Sequence, residues 1–264
     1  MGNPWDAAVA RAVRLADADP AAAAILGFAA HLVRAQRDMC AGLSTSTASG
    51  PGLTGRLDAD LSRVRPLVPP LLETVRAHGP DPLARGAADL QQADAAAIDE
   101  LLIEYWRAPT DDQFFPKACL QPYARALADA QLAPLDRLAG HAGNRCPFCG
   151  GRPQLAVLRA NETRADGGRR HLLCATCLTV WPFRRICCPQ CGEEDEPALG
   201  YFQAPVYPHV RVEACDTCRH YLKAVDLAQM GLAVPLVDEI AASALDIWAR
   251  EHGYVKIERN LVGL

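Results

Sequence analysis

Apolar side chains recur at three- and four-residue steps along the first half of the chain, which is the spacing of one face of an α-helix. Trp5, Val9 and Val13 show this spacing near the start, and residues 25–39 show it again. A stretch rich in Ser, Thr, Gly and Pro, residues 43–55, interrupts the pattern and predicts an exposed loop. Further helices are expected over residues 69–78, 81–107 and 114–132.

The second half of the chain begins with short apolar runs separated by turn-forming residues, which is the pattern of β-strands. Residues 154–159 and 170–173 flank the sequence Ala-Asp-Gly-Gly at positions 165–168, so we predict an antiparallel hairpin there. Helical spacing returns near the carboxy terminus. This predicted tail helix places four apolar side chains roughly on one face: Leu236, Ile240, Leu245 and Trp248.

Cysteine is concentrated in the second half, where nine of the 11 cysteines lie between positions 146 and 218. Eight of these nine form four Cys-x-x-Cys pairs. The first and third pairs begin 42 residues apart (146 to 188) and the second and fourth 41 apart (174 to 215), which indicates a tandem duplication. The pairs are Cys146 with Cys149, Cys174 with Cys177, Cys188 with Cys191, and Cys215 with Cys218.

Two such pairs supply the four thiolates of a tetrahedral metal site, so the duplication predicts two bound metal ions. Gly150 and Gly192 follow the first and third pairs, at a place where such turns often need a positive φ. The repeat favours pairing in sequence, first with second and third with fourth, over the interleaved pairing of cross-braced domains. Four thiolates suit zinc and rubredoxin-type iron alike, so each repeat predicts a zinc-ribbon or rubredoxin-like module.

These patterns together predict an α+β chain in four parts. A helical domain covers residues 1–144, two four-cysteine ribbons cover residues 145–186 and 187–223, and a helical tail covers residues 224–264. The chain has 264 residues, 50% of them hydrophobic and 22% charged, so it is long enough to bury a core, and wholesale disorder is excluded.

Three cysteines lie outside the four pairs. Cys40 and Cys119 stand among apolar neighbours and are expected to be buried as small hydrophobic side chains. Cys187 directly precedes a predicted ligand and lies near Arg184 and Arg185. We favour an inert thiol there, and a redox or docking thiol with a lowered pKa is the alternative.

The net charge of −4 and the isoelectric point near 6.0 give no general attraction to nucleic acid or anionic lipid. Residues 145–222 hold ten arginines against eight acidic residues, and each divalent ion held by four thiolates adds two negative charges, so the formal +2 becomes −2. A nucleic-acid-binding zinc ribbon is therefore only the alternative function. With no apolar run of membrane-spanning length and no secretory signal, we expect a cytoplasmic protein without a membrane span.

The cysteine pairs and their neighbours resemble the formate dehydrogenase accessory protein family, FdhE. The resemblance rests on Cys-Pro-Phe-Cys-Gly from position 146, His-Leu-Leu-Cys-Ala-Thr-Cys from 171 and Cys-Pro-Gln-Cys-Gly from 188. It continues through Cys-Asp-Thr-Cys-Arg-His-Tyr-Leu-Lys from 215 and Leu-Asp-Ile-Trp from 245. The helical half resembles the family only in general character.

This resemblance implies a cytoplasmic, non-enzymatic factor that is needed for active respiratory formate dehydrogenase. Such a factor contacts the catalytic molybdenum- or tungsten-containing subunit before its export, and it binds iron through the eight paired cysteines. A rubredoxin-like electron carrier is a further alternative, and the two functions do not exclude each other.

A docking hypothesis concerns the segment between the two metal modules. Trp and Arg are among the side chains most enriched at the centres of protein interfaces, and Trp181, Arg184 and Arg185 lie together in this segment. We expect them to form part of the surface that binds the client enzyme. A partly buried strand with solvated guanidinium groups is the alternative interpretation.

Overall fold

The structure is a computed structural model that describes residues 4–45, 52–136, 143–160 and 169–264. The chain divides into two compact units, Met1–Ala139 and Gly140–Leu264. The first unit is helical, and the second contains the strands, both groups of paired cysteines and the tail helices. The predicted α+β fold class is therefore confirmed, whereas the four-part division of the chain stays a prediction.

The first unit consists of amphipathic helices that bury apolar side chains such as Leu26, Leu102 and Leu127. A 3₁₀ turn, Arg65–Leu67, joins the third helix to the fourth. Across the part of the chain described here, no helix is both long and apolar enough to cross a bilayer. The helices of this unit are α1 (Pro4–Ala18), α2 (Ala23–Thr45), α3 (Leu57–Val64), α4 (Val68–His78), α5 (Asp81–Gln92), α6 (Ala95–Arg107) and α7 (Phe114–Asp129).

The helix predicted over residues 81–107 is in fact two helices. Asp94 lies between α5 and α6 with an extended backbone, and its carboxylate accepts a hydrogen bond of 2.8 Å from the backbone amide of Ala97. This is an N-cap, which satisfies one of the free amide groups at the start of a helix. The apolar spacing continues across the cap, so periodicity alone did not reveal the break.

The loop predicted over residues 43–55 starts later than expected. Helix α2 continues through Thr45, and the Ser44 hydroxyl donates a hydrogen bond of 3.0 Å to the Cys40 carbonyl. Serine is tolerated inside a helix when its hydroxyl bonds to the carbonyl four residues earlier, which is the arrangement here. The middle of the predicted loop, residues 46–51, lies outside the described residues.

A buried carboxylate holds the start of α3 against α7. Asp60 is 1% exposed and accepts hydrogen bonds from the backbone amide of Thr54, at 2.9 Å, and from the Tyr123 hydroxyl, at 2.8 Å. Burying a charge requires such partners, because an unsatisfied carboxylate costs several kcal/mol. The contacts tie the chain before α3 to the core of the unit.

The second unit is built on one mixed sheet with strand order β3-β2-β1-β6-β5-β4, and β7 lies beside β6. Strands β1 and β2 pair antiparallel, with Leu155 opposite Leu173, which confirms the predicted hairpin. Its predicted turn, residues 165–168, lies outside the described residues. The strands are β1 (Pro153–Arg159), β2 (Arg169–Cys174), β3 (Val180–Pro182), β4 (Leu199–Gln203), β5 (Val210–Cys215), β6 (His220–Asp226) and β7 (Val255–Lys256).

The two cysteine modules share this sheet. Strand β1 of the first module runs parallel to β6 of the second, with Leu155 opposite Lys223 and Leu158 opposite Asp226. As a central strand, β1 is buried at six of its seven positions. The sequence repeat predicted two modules in tandem, but the spacing of the cysteines contains no signal for their parallel joint.

The tail forms two helices, α8 (Pro235–Ala241) and α9 (Ser243–Glu251), where a single helix was predicted. Leu245 and Ala249 of α9 belong to one buried cluster with Val212 of β5. The ring of Trp248 lies 4.5 Å from the ring of Phe202, measured between centroids. The tail thus covers one face of the second module.

Four charged side chains are buried between the tail and the sheet, and we call them the charge cluster: Lys223, Glu239, Asp246 and Lys256. Each of the four is 3% exposed or less. Lys223 donates to Asp246, while Lys256 donates to Glu239 and lies 3.0 Å from Asp246. Burial by itself raises the pKa of Asp246, but the two ammonium groups outweigh it and hold this pKa below its usual value.

Replacement of Asp246 tests how much the charge cluster contributes to stability. Asp246→Asn leaves two buried ammonium groups with one carboxylate, so we expect a loss of about 3–5 kcal/mol in the free energy of unfolding at pH 7. The folded pKa of Asp246 lies below its unfolded value, so the contribution is complete above the unfolded pKa and is lost as the pH falls through the folded pKa.

Two measurements test this: urea unfolding gives the free energy of unfolding, and hydrogen exchange of the β6 amides gives the local stability of the strand. The matched control is Asp195→Asn, which makes the same chemical change at an exposed site with no capping hydrogen bond. Its effect is expected to stay within about 0.5 kcal/mol. Equal stability of the two variants would contradict a stabilising role for the cluster.

Candidate metal centres

Site 1 is the first group of cysteines: Cys146, Cys149, Cys174 and Cys177. They lie in two Cys-x-x-Cys turns, which we call knuckles, one before β1 and one starting at the end of β2. The Sγ–Sγ distances are 3.6 Å from Cys146 to Cys177, 3.5 Å from Cys149 to Cys174 and 3.4 Å from Cys149 to Cys177. A tetrahedron of sulfurs that each lie about 2.3 Å from a metal has edges of about 3.8 Å. Disulfide sulfurs are only about 2.05 Å apart, so these are free thiols arranged around a common point.

The second group, site 2, repeats this arrangement at the β4–β5 hairpin, where Cys188 and Cys191 precede β4, Cys215 ends β5 and Cys218 follows it. Cys188 and Cys218 have their Sγ atoms 3.7 Å apart, and so do Cys191 and Cys215. In each site the four Sγ atoms all lie within 4.8 Å of one another. The structure thus brings the eight predicted ligands together in sequence, first pair with second and third with fourth. In both sites the donor set and spacing fit a tetrahedral zinc or iron ion.

Backbone hydrogen bonds close the first and third knuckles. The Gly150 amide donates 2.9 Å to the Cys146 carbonyl, and the Gly192 amide donates 2.9 Å to the Cys188 carbonyl. Both glycines have positive φ, at 68° and 82°, so the expectation drawn from their positions is confirmed. A residue with a Cβ would add strain at these two turns.

The second and fourth knuckles make the same turn without glycine. Leu178 and Arg219 occupy the equivalent positions, each with a φ of 58°. Such left-handed backbone costs roughly 1–2 kcal/mol for a residue with a side chain. An ion bound by the neighbouring cysteines would offset this cost. Neither residue type signals positive φ, so these two turns could not be predicted from the sequence.

Two further residues that support site 1 were also missed. A Cβ at Gly151 would lie 2.8 Å from the Sγ of Cys174, so only glycine leaves room for this ligand. The hydroxyl oxygen of Thr179 lies 3.2 Å from the Sγ of Cys177, which is within hydrogen-bonding distance of a thiolate. A glycine directly after a Cys-x-x-Cys-Gly run was the available signal for the first of these contacts.

The two sites differ in their access to solvent. All four cysteines of site 1 are 0% exposed, and burial raises the pKa of the Cys174 thiol well above its usual value. In site 2 Cys191 is exposed and Cys218 is half-buried, although Cys188 is buried. Identical donor sets therefore give one closed site and one that solvent molecules and reagents reach.

The three remaining cysteines are buried. Burial raises the pKa of Cys40 to about 11 and that of Cys119 to about 12, as expected for small core side chains. Burial also raises the pKa of Cys187, against the pull of nearby arginines, and this favours the inert thiol over the reactive alternative.

The predicted docking residues lie in different environments. Trp181 is the middle residue of β3 and is only 6% exposed, so its ring contributes little to the surface. Arg184 is exposed and pairs with Glu194, and Arg185 is exposed as well. Their part in client binding stays a prediction, in which only the two arginines provide accessible side chains.

A buried ion pair fixes the segment between the two modules. Arg170 of β2 lies 2.7 Å from a carboxylate oxygen of Glu213 on β5, and both side chains are less than 10% exposed. Arg170 also donates to the backbone carbonyls of Arg184, at 2.9 Å, and Cys187, at 3.1 Å. One guanidinium group thus joins strands of both modules and the chain between them.

The fold and the two sites define a class of protein. Such a protein has one helical unit and a second unit in which two four-cysteine modules share a single sheet. Family models match this part of the chain, with "FdhE, central domain" over residues 145–185 and "FdhE, C-terminal domain" over residues 186–262. With the 33% identity to a relative of which this chain covers 68%, these matches show that the chain belongs to the FdhE family. The family resemblance drawn from the cysteine motifs is therefore confirmed.

Known relatives extend the similarity beyond the cysteine modules. A "Protein FdhE homolog" from Aquifex aeolicus is 33% identical over 197 residues, which cover 74% of this chain and 68% of that protein. One from Shewanella oneidensis is 26% identical and covers 76% of this chain and 60% of its own length. The crystal structure of the FdhE protein from Pseudomonas aeruginosa has a TM-score of 0.67 at 24% identity, over 99% of this chain and 96% of that one, which shows a common fold.

The difference in exposure predicts how the two sites bind and release metal. Protein purified without added metal is expected to contain two ions per chain. A chelator is expected to remove the ion from site 2 before the ion from site 1. Cys191→Ser should lower the content to one ion, because a serine hydroxyl is a poor ligand for zinc or iron in such a site. Cys187→Ser changes a neighbouring buried cysteine outside both groups and should retain two. Elemental analysis that gives the same content for both variants would contradict this assignment.

The shared sheet predicts that damage to one site spreads to the other module. Cys146→Ser removes a ligand of site 1, and ligand binding contributes directly to folding. We expect faster hydrogen exchange in β1 and also in β6, its parallel neighbour, while the amides of α2 and α7 keep their protection because the first unit is compact by itself. Equal loosening of those helices would contradict the division, and Cys187→Ser is the control.

Proposed function

We propose that this chain is an accessory protein of respiratory formate dehydrogenase, which binds the catalytic subunit of that enzyme in the cytoplasm before export and is needed for its activity. Membership of the FdhE family supports the association with formate dehydrogenase. The observation that carries the proposal is the pair of complete four-sulfur sites in the family's two matched domains.

The two sites favour binding over catalysis. An ion held by four cysteines has no coordination position left for a substrate, whereas catalytic metal ions keep one open. We therefore propose that the ions shape the second unit so that its surface recognises another polypeptide. By family resemblance the ion is iron in the cell, and the same four thiolates also accept zinc.

The exposure of site 2 favours a second role for this chain, the transfer of single electrons. Rubredoxin-type iron gains one electron when Fe³⁺ becomes Fe²⁺, and an electron donor outside the protein reaches site 2 through Cys191 more readily than it reaches the enclosed site 1. Iron-loaded protein should then lose visible absorption on reduction with dithionite and regain it in air. An absorption spectrum that dithionite leaves unchanged would remove this role.

The main proposal is tested in a host that lacks its own FdhE protein. Supplying this chain should restore formate-dependent dye reduction, and a tagged catalytic subunit should retain the chain on a column. Cys191→Ser is expected to reduce both readouts, whereas Cys187→Ser leaves them unchanged. Full formate dehydrogenase activity without any FdhE protein, together with no retention of the chain, would overturn the proposal.

The docking part of the proposal has a separate test. Arg184→Ala combined with Arg185→Ala removes the two exposed guanidinium groups, and we expect about tenfold weaker retention on the catalytic subunit, as for charged side chains at an interface. Arg14→Ala combined with Arg85→Ala makes the same change at exposed positions of the helical unit and serves as the control. Unchanged retention of the first double variant would show that this segment takes no part in docking.

A further inference from the structure

The outer edge of β4 has no strand beside it among the described residues. In the sheet order β4 is the last strand, and β5 is the neighbour it has within the described ranges. All five residues of β4 are exposed or half-buried, whereas β1 is buried at six of seven positions. An uncovered edge presents unpaired backbone amide and carbonyl groups to solvent.

The internal repeat identifies which strand of the first module corresponds to β4. Cys174 ends β2 and Cys215 ends β5, and the sequence repeat makes these two cysteines equivalent. Leu155 lies opposite the residue before Cys174, and Gly200 lies opposite the residue before Cys215. Residues 200–203 of β4 are therefore the counterpart of residues 155–158 of β1.

In the first module this edge is covered. Residues 155–158 pair in parallel with residues 223–226 of β6, which belong to the second module. The fold thus already shows what a module accepts at this position, namely a parallel strand of about four residues. In the part of the chain that the structure describes, no strand covers the equivalent edge of the second module.

The equivalent strand of a second copy is poorly suited to this position. The counterpart of β6 in the first module is β3, and counting from the equivalent cysteines, Cys177 and Cys218, places residues 182–185 at the positions of residues 223–226. That segment starts with Pro182, which has no amide hydrogen to donate, and β3 ends at this residue. The repeat therefore favours a covering strand from another polypeptide over the equivalent strand of a second copy.

The charge next to β4 indicates the chemistry of that polypeptide. Four consecutive acidic residues, 193–196, precede β4, and three of them are exposed. Among the described residues, Arg184 pairs with one of the four, Glu194. A parallel strand runs in the same direction as β4, so its amino-terminal end lies beside these carboxylates. Cationic side chains are favoured there by charge complementarity.

We propose that the free edge of β4, residues 200–203, binds an extended peptide segment in parallel orientation, with cationic residues at the amino-terminal end of that segment. Main-chain hydrogen bonds supply affinity in this mode, and alternate side chains supply specificity. Side chains on one face meet Tyr201, whose ring packs under Arg211, and those on the other face meet Phe202 and Trp248. The surface goes beyond the proposed function, because it holds for whichever protein supplies the segment.

The test uses the metal-loaded full-length chain and a fluorescein-labelled peptide of sequence Lys-Lys-Lys-Thr-Val-Thr-Val-Thr. Fluorescence anisotropy measures binding, and hydrogen exchange locates it. We expect slower exchange of the amides in residues 199–203 and unchanged exchange in β3. A peptide of the same composition with its three lysines at the carboxyl end should bind about tenfold more weakly, because its charges then lie away from the acidic run.

Charge-reversed variants test the acidic run without altering the strand. Asp195→Lys combined with Glu196→Lys should weaken binding of the first peptide about tenfold. The matched control, Glu100→Lys combined with Glu251→Lys, makes the same change at exposed positions elsewhere and should bind normally.

Three results would overturn the inference. One is binding that leaves exchange in residues 199–203 unchanged, and another is equal affinity for the two peptides. The third is protection of this edge that rises with protein concentration when no peptide is present, because a second copy of the chain would then be the occupant. Retention on formate dehydrogenase is measured separately, so the failure of that experiment would not be confused with any of these results.

Discussion

The second unit depends on two groups of four cysteines, each arranged so that it could hold a metal ion. In each group, Sγ atoms lie 3.4–3.7 Å apart. At this spacing four thiolate charges without a counter-ion would repel one another strongly in a protein interior. A cation at the centre removes this repulsion and fixes both ends of a hairpin at once. The left-handed turns at Leu178 and Arg219 and the absence of a side chain at Gly151 have a common cause in this arrangement. We therefore expect metal binding at these cysteines to contribute directly to folding.

One sheet makes the two modules mechanically dependent on each other. The parallel pairing of β1 with β6 and the ion pair of Arg170 with Glu213 both join strands of different modules. The charge cluster joins the tail to β6 through the ion pair of Lys223 with Asp246. Site 1 lies inside this framework, while site 2 keeps Cys191 at the surface. Such a division suits a protein in which one ion stabilises the scaffold and the other remains close to partners and reagents.

Features encoded within a few residues were predictable from the sequence. It was possible to predict which cysteines share a site from the Cys-x-x-Cys spacing, the 41- and 42-residue repeat, and Gly150 and Gly192. One turn and one hairpin determine these partners. The parallel joint, the burial of Trp181 and the charge cluster depend on residues that are distant in the chain, and no local pattern encodes such contacts. The break at Asp94 was a local signal, but the continuing apolar period concealed it.

X-ray absorption at the metal edge of protein purified without added metal would show whether four sulfurs surround each of two ions. Coordination by the eight paired cysteines predicts a shell of four sulfur atoms at about 2.3 Å with no oxygen or nitrogen ligand, averaged over both sites. A shell that contains oxygen or nitrogen, or protein whose cysteines are linked in disulfides and hold no metal, would contradict it.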